Sequence, residues 1–372
     1  MEKENQWKEQ QPYAYWLQCV QGLGRKSRQE LTEYAGSPRA VYEMAEREWR
    51  MLLPEKKVNA LKQWRKEVIP ELLYKEFAKG KIRFIPMGHP NYPKRLRQIS
   101  DPPYGIFVMG SLPEDEKMAV AVIGARQCSE YGRYIAGQCA AQLAMAGANV
   151  ISGMARGIDG IAHGAAMRAG GNTFAVLGCG TDVCYPAENR QLYEAIKQKG
   201  GIVSEYGPGT QPKAGLFPVR NRIISGLADI VLIVEAREKS GTLITADLAL
   251  EQGKEVYVVP GRVTDSLSQG CNRLIAQGAG IMTSVDEMLR ETGLAMSLEG
   301  KRDRASGIQK SKQKSERKGG QGIASYLDYY PKSIACLQQE SGLEYRQIIL
   351  ELTELCARQQ AIQVSVNQYV KT

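Results

Sequence analysis

From Ala119 onward the chain repeats one unit: a short run rich in Val and Ile, a turn, then a helical stretch. AVAVIGA precedes a helical pattern that starts at Ser129, NVISG precedes IDGIAHGAAMRAG, and NTFAVLGCG precedes ENRQLYEAIKQKG. GIVSEY then leads through a long loop into VRNRIISGLAD, and the series continues with IVLIVEA, SGTLITADLALEQG, EVYVVPG, CNRLIAQGA and GIMTS. The strand runs are almost wholly apolar, so both faces of the sheet they form need cover. Helices between successive strands return the chain in the same direction, which makes the sheet parallel. The pattern predicts a doubly wound, Rossmann-like α/β domain.

The flanks read differently. Residues 12 to about 75 alternate short helical patterns with turns, and WLQCVQGLGRKSRQELTEYAG sets Gly22 and Gly24 between two amphipathic segments. That is the turn chemistry of a helix-hairpin-helix, which either holds a DNA phosphate on its amides or serves as a plain tight turn. Residues from about Lys81 to Gly110 are rich in Pro and Tyr and read as a lead-in that packs on the next domain. Beyond Gly293 comes a Ser- and Gln-rich stretch too poor in apolar residues to fold alone. Residues 323–372 regain periodicity, and the alternating AIQVSVNQYVK after SIACLQQESGLEYRQIILELTELCARQQ suggests a helix-turn-helix with a β-wing. The expected organisation is a helical helix-hairpin-helix or SAM-like domain at 1–80, the Rossmann-like domain at 81–293, a basic linker at 294–322 and a winged helix at 323–372.

The formal charge of +9 favours a polyanionic partner, but its distribution matters. Eight Lys or Arg stand against Asp303 and Glu316 between Lys301 and Lys318, so a net +6 lies in the linker. An anion site in the folded parts therefore has to be argued from local residues. Eight cysteines without a CxxC pair, and two histidines in all, give neither a zinc site nor a disulfide framework. Cys139 and Cys179 read as small buried hydrophobes of a reducing compartment. The first residues carry no apolar signal region and no run approaches a membrane span, so the expectation is a cytoplasmic protein that uses no membrane, metal or cofactor.

Ligands of doubly wound sheets bind beyond the carboxyl ends of the strands, so the strand-to-helix loops carry the chemistry. In VIGARQCSEYG, Gly124 permits a sharp turn, Arg126 leaves the strand end and Ser129 suits an N-cap. A cation stands where a dinucleotide fingerprint has glycine, which points to a phosphate held by a side chain as well as by amides. In ISGMARGIDGIAHGAA, Ser152 and Gly153 end a strand, Gly157 allows close backbone approach and Asp159 can cap amides, making an anion-binding nest; His163 reads as packing. The loop EYGPGTQPKAGLFPVRNR brings Lys213, then Arg220, Asn221 and Arg222 around a helix entered at Pro218. These arginines either reach across the loop mouth or pair structurally with Glu205 or Asp229. Ser240, Gly241 and Thr242 open a further helix and offer hydroxyls and amides to a phosphate, or simply cap it. Four cations converging on one sheet edge fit several consecutive phosphates better than one mononucleotide.

Taken together, VIGARQCSEYG, SGMARGIDGIAHGAA, FAVLGCGTDVCYPAENRQLYEAI, SEYGPGTQP, FPVRNRIISGLAD, EAREKSGTLITADLALEQGKEVYVVPG and GCNRLIAQGA resemble the DNA-processing protein A (DprA/Smf) family over residues 80–290. The resemblance implies a protein that is not an enzyme. It would bind and protect single-stranded DNA, help load the recombinase RecA in natural transformation, and dimerise through the Rossmann-like domain. By motif match, Arg126 takes the place of the family's DNA-binding arginine, Lys213, Arg220 and Arg222 line the same basic pocket, and Ser152 and Gly153 give its amide floor. Arg190 stands in for a lysine the family often carries near the YPxxN segment. The glycine of the LELxG pattern before the wing is missing from LTELCARQQ.

Two other readings compete. Nucleotide phosphoribohydrolases share the architecture and carry PGGxGTxxE, to which EKSGTLIT corresponds through Gly241 and Thr242, but Thr245 stands where the catalytic glutamate belongs. A pure interaction scaffold would instead touch nucleic acid only through the basic linker, and would lose binding when residues 295–372 are deleted.

Overall fold

The computed structural model describes residues 2–292 and 322–372; the expected basic linker lies almost wholly outside them. Six helices come first: α1 (Glu2–Cys19), α2 (Arg25–Ala35), α3 (Pro38–Glu43), α4 (Glu46–Leu52), α5 (Glu55–Glu67) and α6 (Pro70–Phe77). Gly22 takes φ +76 in the turn between α1 and α2, a conformation glycine adopts without steric cost. Around Trp16, Trp49, Leu31 and Leu61 these helices form a core of their own. Tyr15 and Phe77 extend it to Phe84 and Phe107 of the sheet.

A nine-stranded sheet follows, ordered β1-β2-β6-β5-β4-β3-β7-β8-β9. Its members are β1 (Arg83–Pro86), β2 (Gly105–Gly110), β3 (Ala119–Ile123), β4 (Asn149–Ser152), β5 (Thr173–Leu177), β6 (Gly201–Ser204), β7 (Ile230–Ile233), β8 (Glu255–Val258) and β9 (Gly280–Ile281). Strands β3 to β9 are parallel, as the alternating pattern predicts. The Pro- and Tyr-rich segment is more than a lead-in: β1 and β2 pair antiparallel, and β2 runs antiparallel to β6, so the sheet is mixed at that edge. Helix α7 (Lys94–Arg97) lies between these two strands.

Successive strand residues face opposite sides, and each side has its own apolar layer. Ala121, Ile123, Val231 and Ile233 meet α11 (Leu216–Leu227), α12 (Gly241–Glu251) and α13 (Gln269–Ala276) on one face. Val120, Val122, Ile230 and Leu232 meet α8 (Glu130–Met145), α9 (Ile158–Arg168) and α14 (Val285–Glu291) on the other. Helix α10 (Arg190–Lys199) covers β5 and β6 through Tyr193 and Ile196. Strand order reverses at β3, with β4 to β6 on one side of it and β7 to β9 on the other, which makes the crevice between β3 and β7 the topological switch point. Residues 323–372 form two helices, Ile334–Ser341 and Tyr345–Ala357, with a three-stranded sheet β10 (Lys332–Ser333), β12 (Gln368–Lys371), β11 (Ala361–Ser365). No helix among the described residues is long and apolar enough to cross a membrane.

Candidate functional site

A cleft of about 830 Å³ opens at the carboxyl edge of the sheet, over the switch point. The β3 loop contributes Gly124, Arg126 and Gln127, and the β7 loop contributes Arg237 and the start of α12. The first turns of α11 supply Phe217, Arg220 and Asn221. A narrower recess continues from it past Gly153, Gly178 and Cys179.

Two glycines let the loops close on each other. Gly157, at φ +72, lies so near the β3 loop that a Cβ there would stand 2.3 Å from the Ala125 carbonyl oxygen. At Gly153 a Cβ would fall 2.7 Å from both the Arg220 guanidinium and the Asp159 carboxylate. Asn189 Nδ2 donates to the carbonyls of Met154 and Ala155 at 2.9 and 3.3 Å, holding the β4 loop, in which Met154 takes φ 60. The amide nest predicted after β4 exists, but the protein fills it. Asp159 Oδ2 accepts from Gly153 N at 3.1 Å and Ala155 N at 3.4 Å. Burial raises the Asp159 pKa, and the Arg220 charge opposes that rise.

Arg220 is only 5 % exposed. Its Nη1 donates to the Gly153 carbonyl at 2.7 Å and to the Val176 carbonyl, while its Nε has no hydrogen-bond partner among the described residues. Burial pulls its pKa down to about 10, with Asp159 pushing the other way. It forms part of the cleft floor. Arg126 is exposed at the mouth, 5.7 Å from the centre of the Phe217 ring, and among the described residues no carboxylate pairs with it. Phe217 and Tyr185 lie 5.4 Å apart at 33°, adding an aromatic surface beside the cation. Arg156, also on the cleft, pairs with Glu188, and Arg237 completes the basic rim.

Helix α12 starts without a side-chain cap. The Ser240 hydroxyl is buried and makes no hydrogen bond among the described residues, so capping does not explain that serine. The amides of this first turn and the positive end of the helix open on the cleft. Helix α8 begins differently, its Ser129 N-cap accepting from Gly132 N at 3.0 Å as predicted.

Of the residues singled out in the sequence, Gly124, Arg126, Gly153, Arg220, Asn221, Ser240, Gly241 and Thr242 line the cleft or its recess. Five do not. Arg222 is turned into the protein, where Nη2 donates to Glu205 at 2.8 Å and Nε to Asp101 at 3.2 Å, the structural pairing that its sequence position also allowed. Ser152 is fully buried and its hydroxyl donates to the Val122 carbonyl at 2.7 Å. Gly157 serves loop packing, Arg190 starts α10 away from the cleft, and Lys213 is exposed on the loop between the cleft residues Pro212 and Ala214. His163 packs against the sheet, with Nδ1 2.6 Å from the Thr173 hydroxyl and burial lowering its pKa to about 3. Sequence reasoning missed Arg156, Tyr185, Phe217 and Arg237. Arg156, Phe217 and Arg237 stand in the loops already searched, so their position was the available signal.

Comparison with known proteins gives a consistent picture. Residues 83–293 match the DNA recombination-mediator protein A family. The chain is 43 % identical over 204 residues to the DNA processing protein DprA of Streptococcus pneumoniae, covering 54 % of this chain and 71 % of that one. It is 34 % identical over 295 residues to protein Smf of Synechocystis, covering 75 % and 72 %. Among solved structures, it resembles S. pneumoniae DprA with a TM-score of 0.66 at 34 % identity, over 75 % of this chain and 97 % of that one. DNA processing protein A of Helicobacter pylori, whose structure describes a single-stranded DNA binding mode, is similar at a TM-score of 0.51 and 31 % identity, over 57 % and 95 %.

Proposed function

Because this chain belongs to the DNA recombination-mediator protein A (DprA/Smf) family, we propose that it is a DNA-processing protein whose switch-point cleft holds the backbone of single-stranded DNA. The observation that carries the reading is the pairing, across one cleft, of an exposed arginine stacked near an aromatic ring with an uncapped helix N-terminus. Arg126 and Arg237 neutralise phosphates, the α12 amides accept one, and Phe217 and Tyr185 offer a face on which a base stacks without being read. Such binding tolerates sequence and weakens with salt. In this reading the protein is cytoplasmic, pairs with a second copy through the Rossmann-like domain, protects incoming strands and helps load the recombinase RecA, with no catalytic step of its own. The N-terminal helices act as a helix-hairpin-helix or SAM-like domain and residues 323–372 as a winged helix. A phosphoribohydrolase role finds no support, since Thr245, at the position of the glutamate, is buried with its hydroxyl 3.5 Å from the Gly241 carbonyl.

Fluorescence anisotropy with labelled single- and double-stranded oligonucleotides across a salt series tests this. Arg126→Ala is expected to weaken single-strand binding about tenfold and to reduce the slope of log affinity against log salt by about 0.7, the loss of one phosphate contact. Parent-like affinity and slope in Arg126→Ala would remove the cleft from the DNA path.

A further inference from the structure

In doubly wound folds a nucleotide lays its phosphates in the switch-point crevice, on the N-terminus of the helix that follows the first parallel strand. In this protein the crevice lies between β3 and β7, and the helix is α8. The position is already filled. Glu235, two residues past the end of β7, reaches across the crevice. Its Oε2 accepts the Ser129 backbone N–H at 3.0 Å, and its Oε1 accepts the Ser129 hydroxyl. Glu235 is buried, at 3 % exposure. Gly132, in the first turn of α8, keeps room for it, since a Cβ there would lie 2.3 Å from the Glu235 carboxyl carbon. A second internal carboxylate, Asp159, fills the amide nest of the neighbouring β4 loop. Of the three helix or loop starts at this edge, those of the β3 and β4 loops hold a carboxylate of the protein's own, and among the described residues none caps α12.

We propose that Glu235 determines specificity by standing in for a phosphate: it closes the fold's nucleotide seat at α8, so that nucleoside mono- and diphosphates are refused there. A terminal phosphate, doubly charged, gains most from a closed seat of amides. A phosphodiester is singly charged and bonded at both ends, so it needs an open channel, and the cleft over α12 provides one. The inference deepens the single-stranded DNA reading and rests on it for its biological sense, while its chemistry is tested separately.

Full-length parent, Glu235→Ala and Glu235→Gln are compared in thermal melts with inorganic phosphate, chloride holding the ionic strength constant, and in calorimetric titrations with ADP. Removing the side chain opens the seat. Phosphate at tenfold its Kd is then expected to raise the melting temperature of Glu235→Ala by about 3 °C beyond its effect on the parent. ADP is expected to bind that variant at least about tenfold more tightly than the parent. Glu235→Gln, which still fills the space, behaves as the parent. Equal responses of all three proteins overturn the proposal. If Glu235→Ala does not fold, Glu235→Asp, whose carboxylate is withdrawn by one methylene, carries the same expectation at reduced size, and no gain in ADP affinity there overturns it. Oligonucleotide binding by parent and Arg126→Ala is measured on the same preparations. Failure of the DNA reading shows as parent-like binding in Arg126→Ala, whereas failure of this inference shows as an unchanged phosphate response in Glu235→Ala.

Discussion

Arg220 and Arg222 stand two residues apart on α11 and meet opposite surroundings, because two helical residues are separated by about 200° around the axis. Arg220 enters the cleft floor between two carbonyls, and Arg222 enters the interior beside Glu205 and Asp101. The motif FPVRNR could be read as cationic, but its sequence could not assign the two charges, and the pairing with Glu205 stood as an open alternative. Arg222 has only 6 % of its side chain exposed and Glu205 12 %, so truncating the arginine leaves a largely buried carboxylate without its partner. Arg222→Ala is expected to lower unfolding free energy by about 3 kcal/mol in urea titration. The folded fraction should keep its single-strand affinity within about twofold. A large affinity loss without destabilisation would place Arg222 on the DNA.

At the scale of elements, the strand-to-helix loops differ in how each helix start is neutralised. Ser129 and Glu235 satisfy α8, and Asp159 satisfies the turn that leads to α9, but Ser240 leaves α12 open. An aspartate in the first turn of α12 would complement the helix dipole and repel a phosphate at the same place. Thr242→Asp is therefore expected to stabilise the fold by about 0.5 kcal/mol, read in urea, and to weaken single-strand binding about tenfold. Unchanged affinity would mean that DNA does not use this helix end. The parallel strands were legible because each is a local apolar run. The edge pair β1 and β2 was not, since RFIP and GIFVMG are short, sit among prolines, and take their register from a distant segment, with Phe107 opposite Ser204.

At the scale of the whole molecule, residues 323–372 rest on α8 through aromatic side chains. Tyr329 stacks on Tyr134 at 3.9 Å, Tyr330 on Tyr131 at 5.0 Å, and the Arg262 guanidinium lies 3.8 Å from the Tyr330 ring centre. The cleft itself takes no residue from this unit. A chain ending at residue 292 is thus expected to bind single-stranded oligonucleotides within about threefold of full length at physiological salt, with a shallower salt slope if the segment from Lys301 to Lys318 adds phosphate contacts. Loss of binding on truncation would favour the scaffold reading. By itself the sequence determined the alternation of strands and helices, hence the doubly wound class, and which loops gather at the carboxyl edge of the sheet, because those follow from local periodicity. Tertiary structure alone decided which charges the ligand can meet: Ser129 and Glu235 are 106 residues apart, and only the sheet order that sets β3 beside β7 turns that glutamate from a loop residue into the occupant of a phosphate seat.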